Sequence, residues 1–152
     1  MPKFSTTRRV QHSANEMFDL VADVEKYPSF VPLCQALTVR SRSDGEGGTQ
    51  ILIAGMTVAY KLLRETFTSR VTLDRADMQI LVTYLDGPFS RMENRWLFTP
   101  KGEDTCDVQF SIDYEFKSRM LGMLMGSIFD AAFRKFSAAF EARADEVYGK
   151  RA

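Results

Sequence analysis

The chain has 152 residues and carries 20 Lys+Arg against 20 Asp+Glu, so its formal net charge is zero. That balance argues against DNA or nonspecific nucleic-acid binding, which needs a basic excess. The length fits one domain over residues 1–152, large enough to bury a core without disulfides or metals, and Cys34 and Cys106 lack metal-ligand spacing, so they read as small buried residues in a reducing, cytoplasmic setting.

Lys3 to Gln11 reads as a first strand, with Phe4 and Val10 on one face. It holds no apolar run of the signal-peptide kind. Ser13-Ala14-Asn15-Glu16 has the spacing of a capping box, and Met17, Phe18, Leu20, Val21 and Val24 give the helix that follows its apolar face. His12, the sole histidine, is expected to face solvent or help the cap, since no metal site can be built on it with cysteines so distant.

The segment Val24-Glu25-Lys26-Tyr27-Pro28-Ser29-Phe30-Val31-Pro32-Leu33-Cys34 ends that helix. Each proline lacks a backbone donor and fixes its own φ, so an apolar stretch is forced to be irregular. Such a stretch caps a core or forms the lip of a pocket. A strand follows over Ala36 to Arg42, and Asp44-Gly45-Glu46-Gly47-Gly48 is a turn.

Thr49 to Ala54 reads as a strand broken at Gly55, and Thr57 to Leu73 as one long strand or two in tandem. Further strands are expected over Met78 to Leu85 and Arg91 to Thr99, with turns at Arg75-Ala76-Asp77, Asp86-Gly87-Pro88 and Pro100 to Asp104. Cys106 to Lys117 alternates apolar and polar residues without a break, which gives one dry face and one wet face. Short turns between strands make the sheet antiparallel.

The period then changes. From Arg119 to Tyr148, Leu121, Met125, Phe129, Phe133, Phe136, Phe140, Ala144 and Val147 recur at threes and fours, predicting one long amphipathic helix. Gly122 and Gly126 are spaced for close packing of that helix, or for a flexible gate within the Met-rich stretch around them. The longest uncharged apolar run, Met120 to Phe129, has ten residues, half of what a transmembrane helix needs. The helix must bury its stripe, and the only partner of sufficient area is a curved sheet of about seven antiparallel strands. The fold class is α+β.

No nucleophile elbow, P-loop or dinucleotide fingerprint occurs. Glu65 shares parity with Leu63 and Phe67 and is either an inward carboxylate or an edge residue; Glu93 is equally open.

The order of elements, with Asp23-Val24-Glu25-x-Tyr27-Pro28-x-Phe30-Val31-Pro32-x-Cys34, then Gly87-Pro88-Phe89, then Asn94-x-Trp96-x-Phe98, resembles the START-like, helix-grip superfamily. Within it the chain resembles the coenzyme Q-binding protein family and its bacterial relatives, which include the ribosome association toxin. The resemblance implies a helix-grip fold and non-catalytic binding and delivery of a hydrophobic isoprenoid, ubiquinone above all, in support of respiration and quinone biosynthesis. Ubiquinone is then a ligand, with no cofactor or metal. On pattern and resemblance together, Phe30, Val31, Pro32 and Phe89 are expected at the rim of a cavity, Trp96, Phe110, Phe129 and Phe133 along its lining, and Leu121 and Met125 at its gate.

Transient contact with a membrane surface is expected of such a shuttle, which would be cytoplasmic and peripheral at the inner membrane. Eukaryotic members carry an organelle-targeting leader, whereas this chain begins almost at its first strand, which fits a bacterial or processed protein. Two alternatives come from the same resemblance. One is binding to the large ribosomal subunit, against which neutral charge weighs mildly. The other is an aromatase or cyclase enzyme, for which the apolar inner faces offer few catalytic groups.

Overall fold

The computed structural model describes residues 3–150, two fewer at each end than the domain expected over 1–152. A first strand β1 (Lys3–Val10) is followed by helix α1 (Ala14–Ala22) and a 3-10 turn over Val24–Ser29. Six strands come next: β2 (Cys34–Asp44), β3 (Gln50–Tyr60), β4 (Leu63–Asp74), β5 (Gln79–Asp86), β6 (Phe89–Gly102) and β7 (Thr105–Phe116). Helix α2 (Arg119–Tyr148) closes the chain. Its 30 residues span about 45 Å at 1.5 Å each.

All neighbouring strands pair antiparallel, in the order β1-β7-β6-β5-β4-β3-β2. Because β1 joins β7 at one edge and β2 forms the other, the chain from α1 to Cys34 must cross the end of the sheet. The capping box forms as its spacing predicts: Glu16 N–H donates to Ser13 Oγ at 3.1 Å, and Ser13 N–H donates to Glu16 Oε1 at 3.0 Å. The concave face of the sheet buries Leu52, Val71, Ile80, Trp96, Phe98, Val108 and Phe110 against α1 and the Phe129–Phe140 stripe of α2. This is the START-like helix-grip arrangement. Among the described residues, no helix is long and apolar enough to cross a membrane.

Three local expectations are corrected. Gly55 does not break β3, which runs continuously from Gln50 to Tyr60. The glycine instead leaves room on the outer face for the Arg40 guanidinium. Second, of the two readings of Thr57 to Leu73 the two-strand one holds, but the first strand begins at Gln50 and the two fold back on each other as an antiparallel hairpin turned at Lys61 and Leu62, with Lys61 in the left-handed region at φ 54°. Third, His12 is fully buried: its Nε2 lies 2.7 Å from Asp145 Oδ1, and its ring packs on Tyr148. A strand end and the last turns of α2 are thus joined across the fold.

Candidate functional site

A cavity lies between the sheet and α2. Its volume is about 110 Å³. The cavity is a narrow slot. Inward residues of the strands, among them Met56, Phe67, Val71, Val82, Trp96, Phe110 and Ile112, form one wall. Phe129, Ala132, Phe133, Phe136 and Phe140 of α2 form the other.

The proline segment borders the cavity, with Tyr27, Val31, Pro32 and Leu33 in the wall. Leu33 holds a left-handed backbone at φ 68°, unusual for a branched residue. Its carbonyl accepts a hydrogen bond from Ala59 N–H at 3.0 Å, which ties the segment to β3. The Tyr27 hydroxyl donates to the Val21 carbonyl. Burial, then the neighbouring Cys34 and Asp23, push that phenol well above its ordinary pKa, so it remains a neutral donor.

Of the expected site residues, Val31, Pro32, Phe89, Trp96, Phe110, Phe129 and Phe133 come together around this cavity. Phe30, Leu121 and Met125 lie outside its wall. Phe30 packs edge-on against Tyr27 and Phe140, at centroid distances of 6.0 and 5.0 Å, with the Arg143 guanidinium 5.4 Å from its ring centre. Met125 is wholly buried one turn before Phe129, and Leu121 is half-buried one turn earlier still. Neither helix glycine makes a close approach: a Cβ on Gly122 would touch Phe116 at an ordinary 3.8 Å, and one on Gly126 would meet nothing within 4 Å.

Phe89 reaches the wall through a β-bulge. Along β6 the inward residues Met92, Asn94, Trp96 and Phe98 are even-numbered, and parity alone would turn Phe89 outward. The register shifts between Phe89 and Arg91, and the extra residue rotates Phe89 inward. Its ring then stacks on Phe116 at 5.0 Å and meets Phe67 at 5.4 Å.

Two polar side chains stand out in the wall. Ser69 on β4 and Asn94 on β6 occupy inward positions among Phe67, Val71, Met92 and Trp96. Asn94 Nδ2 donates to the Ser111 carbonyl at 2.9 Å, which leaves its carboxamide oxygen available to a ligand. Neither was among the expected site residues; the signals that point to them are a polar residue on the apolar stripe of β4 for Ser69 and the Asn-x-Trp-x-Phe motif for Asn94. Among the described residues, no Asp, Glu, Lys, Arg or His contributes to the wall. Glu65 faces inward opposite Val58 but beyond the cavity, and Glu93 is exposed on the outer face. Cys34 and Cys106 are buried free thiols whose pKa values burial pushes up to about 11, which keeps them protonated and unreactive.

Comparison with known proteins accords with this geometry. The family described as "Polyketide cyclase / dehydrase and lipid transport" matches residues 10–141. Ribosome association toxin RatA of Escherichia coli K12 is 33% identical over 99% of this chain and 92% of its own length. Coenzyme Q-binding protein COQ10 homolog B of Xenopus laevis is 30% identical over 97% of this chain and 60% of its own length. The solution structure of the 18 kDa protein CC1736 from Caulobacter crescentus is 35% identical, covers 98% of this chain and 99% of that one, and superposes with a TM-score of 0.78. The chain belongs to the START-like polyketide cyclase/dehydrase and lipid-transport family, with the ribosome association toxins and a coenzyme Q-binding homologue among its relatives.

Proposed function

We propose that this chain is a non-catalytic interaction protein of the ribosome-association kind, which binds the large ribosomal subunit and opposes its joining with the small one. The observation that carries this reading is likeness from end to end with a protein named for ribosome association, at 33% identity over 99% of the chain. Among the described residues the cavity wall is lined by apolar side chains with Tyr27, Ser69 and Asn94, a lining suited to holding an apolar ligand. With zero net charge, contact with ribosomal RNA must come from local cations, so binding should weaken steeply with salt. Purified protein added to ribosomes at low salt is expected to co-sediment with the large subunit and to lower the fraction of joined ribosomes. Protein that stays at the top of the gradient at every salt concentration would remove this reading.

A second reading rests on the cavity itself, an apolar slot holding Ser69 and Asn94. It takes a hydrophobic isoprenoid, with ubiquinone the first candidate, and delivers it as a cytoplasmic protein working at the inner membrane. Burying one five-carbon unit from water gains about 4 kcal/mol at roughly 0.8 kcal/mol per carbon. A bilayer already supplies most of that gain, so net affinity must come from shape and from the headgroup. Such near balance lets a carried ligand leave again. Mass spectrometry of an organic extract of the purified protein is expected to find a stoichiometric quinone. No bound lipid, together with no uptake of added ubiquinone, would end this second reading.

A further inference from the structure

One end of the fold exposes large apolar side chains that the core does not use. Leu62 is 100% exposed at the β3–β4 turn, and Met120 and Met123 are 70% and 78% exposed on the first turns of α2. Strand register puts these on the same end of the sheet. Residues Leu63 to Phe67 of β4 run past the last β5 pairing at Thr68 and Asp86, so the β3–β4 hairpin projects there. Phe89 pairs with Phe116, and Lys117 N–H donates to the Pro88 carbonyl at 2.9 Å, so the start of α2 leaves from that end too. Val31 to Leu33, in the cavity wall, lie beside Val58 and Ala59 of the same hairpin.

Cations flank these tips. Lys61 adjoins Leu62, Arg64 follows on β4, and Lys117 and Arg119 bracket the start of α2; all are exposed, and none makes an ion pair among the described residues. Acidic Glu65, Asp86 and Glu115 are the counterweights: Glu65 and Glu115 are half-buried, and Asp86 is exposed at the end of β5. The first turn of α2 carries no acid although acids are favoured at a helix N-terminus and cations are not. Local charge therefore runs against the helix, as expected where an external anion supplies the compensation.

Apolar tips set among basic residues match a membrane interface, where side chains enter below the headgroups and Lys and Arg meet the phosphates. We infer that this end docks on the surface of an anionic phospholipid bilayer, with Leu62 and Met123 as its apolar anchors. The inference deepens the isoprenoid reading, because it brings the cavity next to the lipid that holds such ligands.

Sedimentation with vesicles tests it on ligand-free protein. The native chain is expected to bind vesicles of equal phosphatidylglycerol and phosphatidylcholine at least tenfold more than phosphatidylcholine alone. The pair Leu62→Asp and Met123→Asp should lose about tenfold, with an unchanged urea midpoint because both positions are exposed. The pair Lys61→Glu and Arg119→Glu should bind the anionic vesicles no better than the neutral ones. Three results overturn the inference: no partition of the native chain into either vesicle, an apolar pair that binds as the native chain does, or loss through that pair of ribosome binding or self-association while vesicle binding stands. Uptake of ubiquinone from detergent micelles separates the two ideas. Failure there with vesicle binding intact removes the isoprenoid reading and leaves the docking surface.

Discussion

The Arg40 guanidinium lies across Gly55, with Nη2 2.8 Å from where a β-carbon on that residue would stand. Arg40 reaches over β3 from β2, and its Nη1 donates to Thr68 Oγ1 on β4 at 2.9 Å. Three strands are thereby strapped on their outer face. The obstacle to a side chain at Gly55 is the tip of a flexible arginine, which can swing away. Gly55→Ala should therefore change stability by less than about 1 kcal/mol, as the lost strap offsets the entropy gained. Gly87 differs: its φ is 143°, and a Cβ there would lie 2.5 Å from Phe67 Cβ and 2.9 Å from Phe67 Cα. Gly87→Ala should cost more than about 2 kcal/mol. Urea denaturation of the two variants distinguishes a filled space from a strained turn.

Gly126 occupies a helical position with open space where its β-carbon would be. Gly126→Ala should raise stability by about 0.5–1 kcal/mol, the ordinary helix-propensity gain. If softness in the early turns of α2 admits a ligand, the same variant should also slow ubiquinone uptake, read by stopped-flow quenching of Trp96. Faster uptake in the stabilised protein would argue against a flexible gate.

Ser69 and Asn94 interrupt an otherwise apolar cavity wall. Ser69→Ala should leave stability within about 0.5 kcal/mol, since the structure gives its hydroxyl no hydrogen bond, but weaken binding of a ligand with a polar head by about fivefold, near 1 kcal/mol. Titration calorimetry in detergent reads the affinity. An unchanged constant would mean that the headgroup does not reach β4.

The buried thiols set a limit at high pH. Burial raises Cys34 and Cys106 from 9.0 to about 11, with Asp107 and Glu16 adding to the shift at Cys106. An acid whose folded pKa is raised stabilises the fold below its unfolded pKa and loses that contribution as pH climbs toward the folded one. Stability should hold to about pH 9 and then fall toward pH 11, by on the order of 2 kcal/mol per thiol. Tyr27, also raised by burial from its ordinary 10.0, acts in the same direction from about pH 10 upward. Urea midpoints measured between pH 8 and 11 should decline less steeply in Cys106→Ala than in the native chain.

His12 joins β1 to the end of α2 through Asp145, 2.7 Å away. His12→Ala removes that bond and leaves a hole beside Tyr148, at a cost of about 2–3 kcal/mol. Hydrogen exchange should then rise first in Ala144 to Tyr148. Uniform exchange along α2 would mean that the pair does not secure the helix end.

Much of this fold could be read from one dimension. The period-two alternation from Cys106 to Phe116 and the three-four recurrence from Leu121 to Ala144 each require one face to be dry, and a helix on a curved sheet satisfies both. The capping box at Ser13 and Glu16 is local chemistry and forms as its spacing dictates. Family motifs carried the reading to a cavity bordered by Val31, Pro32, Trp96 and Phe133. Features that depend on distant partners were decided only in three dimensions. Gly55 looks like a strand break until Arg40 arrives from β2; His12 looks exposed until Asp145 comes back from the far end of the chain. Phe89 faces the cavity because of a bulge that parity cannot foresee, and Phe30 leaves it because Phe140 offers an edge to pack on. Sequence alone determined which faces must be dry; packing between elements decided where they fail to meet, and that gap is the cavity.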